Sequence, residues 1–200
     1  MTLQTPTKPI TRKHRWPPPQ GEWTYADYAR LPDNHFRYEV IHGELHMSPA
    51  PTIQHQRIIY ALIKYLAQYF DKRPGGELLP APVEVNLPRL ASPVQPDLLY
   101  ITQERLHILA KQTIEGAPDL VIEVLSPGTA QYDRTTKFQL YAEAGVREYW
   151  LADPDACAIE VYVLRGHAYA LLAQFQQDDV LTSELLPDLA IAVHDICSHS

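Results

Sequence analysis

Two acids occupy positions where a carboxylate is costly. Asp97 follows a proline in Val94-Gln95-Pro96-Asp97-Leu98-Leu99, and Glu123 interrupts the apolar run Leu120-Val121-Ile122-Glu123-Val124-Leu125. A charge inside a buried strand is unfavourable unless it is paired, neutralised or bound to a metal, so two such strands point to a shared cation site. Hard oxygen ligands of this kind suit Mg²⁺, which takes carboxylate, carbonyl and water oxygens in octahedral geometry. The matching chemistry is phosphodiester cleavage. A divalent cation activates water and stabilises charge in the transition state, and a neighbouring ammonium group orients the water or neutralises the phosphate. No lysine stands on the strand of Glu123, because its same-face neighbour two residues on is Leu125. Lys137, one turn before Tyr141 and beside Phe138 and Leu140, has a stem long enough to reach over to the acids.

The elements that must position these groups follow from pattern. Thr24 with Asp27 three residues later predicts an N-cap opening a short helix Tyr25–Arg30, which Pro32 ends. A hairpin follows, with strands Arg37–Ile41 and Glu44–Met47 around a His42-Gly43 turn. From Thr52 to Asp71, Ile58, Ile59, Leu62, Ile63, Leu66, Tyr69 and Phe70 recur at helical spacing. Strands are expected at Val83–Leu87, Leu98–Ile101 and Asp119–Leu125, the last apolar on both faces apart from Glu123, as a central strand is. A helix Gln131–Ala144 closing on Gly145, then a strand Val146–Leu151, implies a right-handed crossover. Ile159–Leu164 and Tyr169–Ala173 form a second hairpin turned at Arg165-Gly166, and the tail 181–196 is apolar enough to pack.

Size and charge bound the rest. Two hundred residues with 46% apolar composition suit one domain. Residues 1–21 are expected to be a disordered, proline-rich basic arm ahead of a single domain 22–197. Cys157 and Cys197 form no C-x-x-C and lie far apart, which indicates neither a disulfide framework nor a cysteine-rich zinc site. With no membrane-length apolar run and no signal peptide, the expectation is a cytoplasmic protein with no membrane partner. The net charge of −7 becomes −11 once the four basic residues of the first twenty are set aside, leaving 13 basic against 24 acidic side chains. Any nucleic-acid contact must therefore be local.

In order and spacing the chain resembles the PD-(D/E)XK nuclease superfamily, and within it the small restriction-endonuclease-like proteins of the Uma-two type. The likeness runs from Tyr38-Glu39-Val40-Ile41-His42-Gly43-Glu44-Leu45 through the His55 helix, Gln95-Pro96-Asp97 and Gly116-Ala117-Pro118-Asp119 to Glu123-Val124-Leu125-Ser126-Pro127. It continues through Lys137 with Tyr141, and Ala144-Gly145-Val146, to Tyr149-Trp150-Leu151-Ala152-Asp153-Pro154. The resemblance implies a mixed α+β fold with a restriction-endonuclease-like core, a central mixed sheet flanked by helices on both faces. It implies a Mg²⁺ site, with Mn²⁺ as substitute, in which Asp97 and Glu123 are ligands and the Val124 carbonyl a third. It places the catalytic lysine on the helix after the acid strand, at Lys137, and an extra acid ahead of the core, at Glu39, to ligate the metal or orient its water. It also implies DNA as substrate and a homodimer.

Plainer readings stand beside these. Asp119 also follows a proline and reads as a strand-start or turn residue. Glu123 could be an ion-pair member and Lys137 a solvated helix lysine, and Glu39 could pair with Arg37. A turn separates His42 from His46, so those two lack the one-face geometry of a helical zinc pair, and His42, His46 and His55 read as polar or packing residues. The rival to an endonuclease is a binding or scaffold protein that keeps the fold without the chemistry. A site acting on RNA or branched DNA would use the same residues, and nothing in them reads a base sequence.

Overall fold

Thr24 caps the first helix in the computed structural model, which describes residues 16–34, 36–73 and 75–197. Its hydroxyl accepts from the Asp27 N–H while the Asp27 carboxylate accepts from the Thr24 N–H, the reciprocal box that starts α1 (Tyr25–Tyr28). The helix ends two residues short of the expected Arg30. Strands β1 (Arg37–Ile41) and β2 (Glu44–Ser48) form the hairpin, with His42 and Gly43 at φ of 49° and 75°. Both turn residues are left-handed, the form whose twist matches the strands. A Cβ on Gly43 would come within 2.5 Å of the Gly21 carbonyl oxygen, so this position requires glycine twice over.

Helix α2 (Ile53–Asp71) starts on Thr52, whose side chain accepts from the His55 N–H. Strands β3 (Glu77–Pro80), β4 (Glu84–Leu87), β5 (Ala91–Val94) and β6 (Leu98–Ile101) come next, then a 3₁₀ turn, β7 (Thr113–Glu115) and β8 (Leu120–Val124). The helix expected as one piece over 131–144 is in three parts. These are α3 (Ala130–Tyr132), a π-helical turn Asp133–Lys137, and α4 (Phe138–Ala144), which Gly145 ends at φ of 88°. The chain finishes with β9 (Glu148–Asp153), β10 (Ala158–Arg165), β11 (Ala168–Gln176), the short pair β12 (Val180–Leu181) and β13 (Ile191–Ala192), and α5 (Val193–Cys197).

Two mixed sheets result. The larger has the order β11-β10-β9-β8-β6-β3, with β8 and β9 parallel and joined by the helical segment 130–144. The smaller has the order β2-β1-β5-β4-β7. Strand β8 is buried along its whole length, and its alternation feeds two cores. Leu120, Ile122 and Val124 pack with Ile58, Leu62 and Leu66 of α2, whereas Val121 joins Ile41, Val85, Leu140 and Tyr141. One face of the large sheet is thus covered by α2 and α5, and the other by the small sheet together with α4. Helices alone do not cover both faces, because Val85, Leu87 and Val94 need an apolar partner surface of their own.

Two further features concern the ends of the chain. Trp16 packs edge-on against Trp23 under the Arg30 guanidinium, and Gln20 exchanges hydrogen bonds with the Leu45 backbone. The remainder of the expected arm, residues 1–15, lies outside the described residues. The expectation of no disulfide is overturned: the sulfurs of Cys157 and Cys197 are bonded, their Cα atoms 5.8 Å apart. The turn between β9 and β10 carries Cys157 to the end of α5, a proximity that a sequence separation of 40 conceals. No described helix is long and apolar enough to cross a membrane.

Candidate active site

Neighbouring strands bring the two acids together. Strand β6 runs antiparallel to β8 with Leu98 opposite Ile122, so Asp97 enters the sheet beside Glu123. The Val124 N–H donates to Asp97 Oδ2 at 3.0 Å, fixing that carboxylate against the strand of its partner. Glu39 arrives from the small sheet. It shares a face of β1 with Ile41, turned toward the large sheet, and its Oε1 accepts from the Gln95 N–H at 2.7 Å.

Lys137 closes the group from the helical side. Its Nζ lies 2.9 Å from Glu123 Oε1, 3.3 Å from Glu39 Oε1 and 3.6 Å from Asp133 Oδ1. The Tyr141 hydroxyl donates to the same Glu123 oxygen at 2.9 Å. Asp133, Lys137 and Tyr141 are spaced four apart, which overshoots an α-helical turn of about 3.6 residues, so an unbroken α-helix would rotate them progressively off one face. The wider π turn offsets that drift and lines up all three.

Every member is withdrawn from water: Glu123 is 1% exposed, Glu39 2%, Asp133 3%, Lys137 3% and Asp97 4%. Burial pushes the Asp97 carboxyl up, but the hydrogen bond and charge of His55, then the charges of Arg37 and Lys137, outweigh it and hold Asp97 well below the usual range. Glu123 goes the other way. Burial raises it well above its ordinary value, and Asp97, Asp133 and Glu39 add to the rise while Lys137 opposes it. Lys137 suffers the same desolvation, yet Glu123, Glu39 and Asp133 keep it protonated to well above the usual lysine range. Asp133 is raised by burial. Four buried carboxyl groups therefore surround one ammonium, one guanidinium and the His55 imidazole, and further positive charge is what would favour the ionised forms of Glu123 and Asp133.

These residues line a cleft of about 290 Å³ together with Ser126, Pro127 and Tyr132. The donor set fits a hard divalent ion: carboxyl oxygens without a thiolate, at a place where burial opposes the ionised forms of Glu123 and Asp133 until a cation joins them. Among the described residues no three His, Cys, Asp or Glu groups converge as a ready-made cage. Asp97, Glu123 and Glu39 are the residues that could hold such an ion.

The model of the family described as Uma2, putative restriction endonuclease, matches residues 25–194, a span that includes the whole cleft. The chain belongs to the Uma2 family. Among relatives of this Uma2 chain, an uncharacterized protein of Synechocystis sp., sll1609, is 25% identical over 142 residues, covering 70% of this chain and 80% of that one. A second Synechocystis protein, slr1290, also uncharacterized, is 38% identical over 65 residues, 32% of this chain and 34% of that one. The crystal structure of a putative nuclease belonging to DUF820 from Anabaena variabilis superposes with a TM-score of 0.72 at 20% identity, covering 88% of this chain and 97% of that one. The nuclease fold is shared.

Sequence reasoning overlooked three groups in the Uma2 cleft. Arg37 does not pair with Glu39; its Nη1 binds Asp97 Oδ1 at 2.7 Å. His55 is no ordinary packing histidine, since its Nε2 lies 2.9 Å from Asp97 Oδ2 while its buried Nδ1 has no partner. Asp133 was read only as part of a helix. The one available signal was positional: Arg37 and Glu39 share a strand face, and Asp133 is four residues before Lys137. Asp119, by contrast, is structural, accepting from the Thr102 N–H, the Thr102 hydroxyl and Arg105.

Proposed function

We propose that this Uma2 protein is a Mg²⁺-dependent endonuclease that hydrolyses phosphodiester bonds in DNA at the cleft of Glu39, Asp97, Glu123 and Lys137. The observation that supports it most is the Lys137 ammonium in contact with Glu123 and Glu39 inside an acid-rich cleft. A divalent ion held by Asp97, Glu123 and Glu39 would supply Lewis-acid polarisation of the phosphoryl oxygen and a more acidic water.

The chain's own groups do the remainder. Arg37 and His55 keep Asp97 ionised at neutral pH, so a charged ligand is in place before substrate arrives. Tyr141 fixes one oxygen of Glu123. Lys137 is held charged in the cleft, where its ammonium can turn from Glu39 to a phosphate oxygen and neutralise it. Arg37, part-exposed at the cleft wall, offers a second cation to the phosphodiester backbone.

The test is nicking of plasmid DNA with Mg²⁺ by wild type, Asp97→Ala and Lys137→Ala proteins, each checked for folding by circular dichroism. Loss of nicking in both folded variants supports the reading. Equal traces from all three mean contamination. A second reading, a nuclease-fold scaffold without activity, draws support from the acids being paired already with Arg37, His55 and Lys137 on an acidic body. Calorimetric titration with Mg²⁺ or Mn²⁺ separates the two, because the enzyme must bind metal. RNA and branched DNA belong in the substrate panel. A cytoplasmic homodimer is part of the same proposal by analogy with the superfamily, and sedimentation velocity checks the stoichiometry.

A further inference from the structure

Helix α2 has two faces with different consequences. The inner one carries His55 to Asp97 and Ile58, Leu62 and Leu66 to the core. The outer one exposes Ile53, Gln56, Arg57, Tyr60, Lys64 and Gln68, a single stripe at helical spacing. Ile53 is 77% exposed and Tyr60 67%, the two highest values among the exposed large hydrophobics of the described residues. No Asp or Glu occurs between Thr52 and Phe70, on a chain whose net charge is −7. Arg57 and Lys64 also differ from the paired basic side chains of the described residues. Arg37, Arg105, Arg134 and Arg165 are held by carboxylates, whereas neither Arg57 nor Lys64 forms an ion pair among the described residues. The stripe begins at the active cleft: Pro51 and Thr52 line both that cleft and a hollow of about 460 Å³ running past Arg57 to Tyr60.

We infer that this stripe binds single-stranded DNA leading into or out of the cleft, with Tyr60 stacking on a base and Arg57 and Lys64 meeting phosphates. The inference rests on the nuclease reading for the cleft and adds where the substrate lies. Alternation of cations with an exposed aromatic is what unpaired strands bind, because every base offers a stacking face and every linkage a charge. The span fits as well. From Ile53 to Gln68 the helix advances about 22 Å, at about 1.5 Å per residue, and a strand rising about 3.4 Å per nucleotide covers it with about six.

The experiment is fluorescence anisotropy in EDTA, using the full chain and a labelled oligothymidylate long enough to cover the stripe, with a duplex of the same length as comparison. Tyr60→Ala is expected to weaken oligothymidylate binding about tenfold, and Tyr60→Phe to leave it near wild type. Arg57→Ala with Lys64→Ala should reduce the slope of log affinity against log salt by about 1.4, for two phosphates on a single strand. All three side chains are exposed, so the fold is not at stake. Absence of binding by wild type, or unchanged affinity and slope in the variants, overturns the inference. So does an effect confined to the duplex, or a Tyr60→Ala protein that changes only from dimer to monomer in sedimentation velocity. Failure here with metal-dependent nicking intact removes only the stripe. Binding through the stripe without nicking removes the nuclease reading instead.

Discussion

Lys137→Met removes the one ammonium around which the cleft is built, and its cost can be worked from the contacts. The Nζ has carboxylate oxygens at 2.9, 3.3 and 3.6 Å. Each attraction is on the order of 5 kcal/mol at an effective dielectric of about 20, and desolvation of the buried charges offsets most of the total. What truncation leaves is a set of unpaired buried acids, and breaking such a pair costs about 3–5 kcal/mol. For a chain of this size that is roughly 6–20 °C of melting temperature, a large part of a typical stability of about 5–15 kcal/mol. The loss also depends on pH with a definite sign. Glu123 sits well above its ordinary 4.5 in the fold, so the native state holds a proton that the unfolded chain releases, and stability falls as pH rises from 4.5 toward the folded value. Removing the ammonium raises Glu123 further and extends that fall. The assay is urea unfolding followed by tryptophan fluorescence, with the fully buried Trp150 as reporter, at about pH 5.5 and about pH 8. Lys137→Met should lose more at the higher pH, and adding Glu123→Gln should recover part of the loss. A loss below about 1 kcal/mol, equal at both pH values and unrelieved by the second change, refutes the description of Lys137 as the desolvated centre of an acid cluster.

Other outcomes follow from single features. Asp119→Asn should cost about 2–3 kcal/mol in chemical denaturation, through its bonds to Thr102 and Arg105, while the folded protein nicks DNA as wild type does. Cys197→Ser should lower stability by about 4 kcal/mol, the loop-closure value for a separation of 40 residues, seen as a lower thermal midpoint that reductant does not lower further. Gly43→Ala must place a Cβ against the Gly21 carbonyl at positive φ, and a loss of about 2 kcal/mol or more in urea is expected. Asp97 is held below its ordinary 3.8, so its contribution is present above pH 3.8 and disappears as pH falls toward the folded value. The stability gap between wild type and Asp97→Asn should therefore narrow between about pH 4 and pH 2.

The most legible parts of the sequence were those with long periodic signals. The pattern predicts α2 to within a residue at its start, because seven apolar side chains repeat along one face, and β8 stands out because an acid interrupts an otherwise apolar run. The hairpin of β1 and β2 follows from its turn. Strands β3, β5 and β7 are hidden for physical reasons: Leu78-Leu79-Pro80 ends on a proline, Ala91–Val94 includes Ser92 and Pro93, and Thr113–Glu115 is three residues long. Their pairing comes from tertiary context rather than propensity. The four proposed site acids and base were nameable, but their supports were not. Arg37 and His55 meet Asp97 across separations of 60 and 42 residues, and the π turn that orients Asp133 has no sequence signature of its own.

Strand β8 restricts the routes by which this protein can diversify. Leu120, Val121, Ile122 and Val124 each answer to one of the two cores and Glu123 to the cleft, so mutational drift in the apolar positions is penalised by misfolding before any change in chemistry is tested. New binding preferences must arise at the hairpin, around the cleft or along the outer side of α2, where substitutions leave both cores intact. Descendants of this sequence should accordingly vary at these outer positions sooner than along β8.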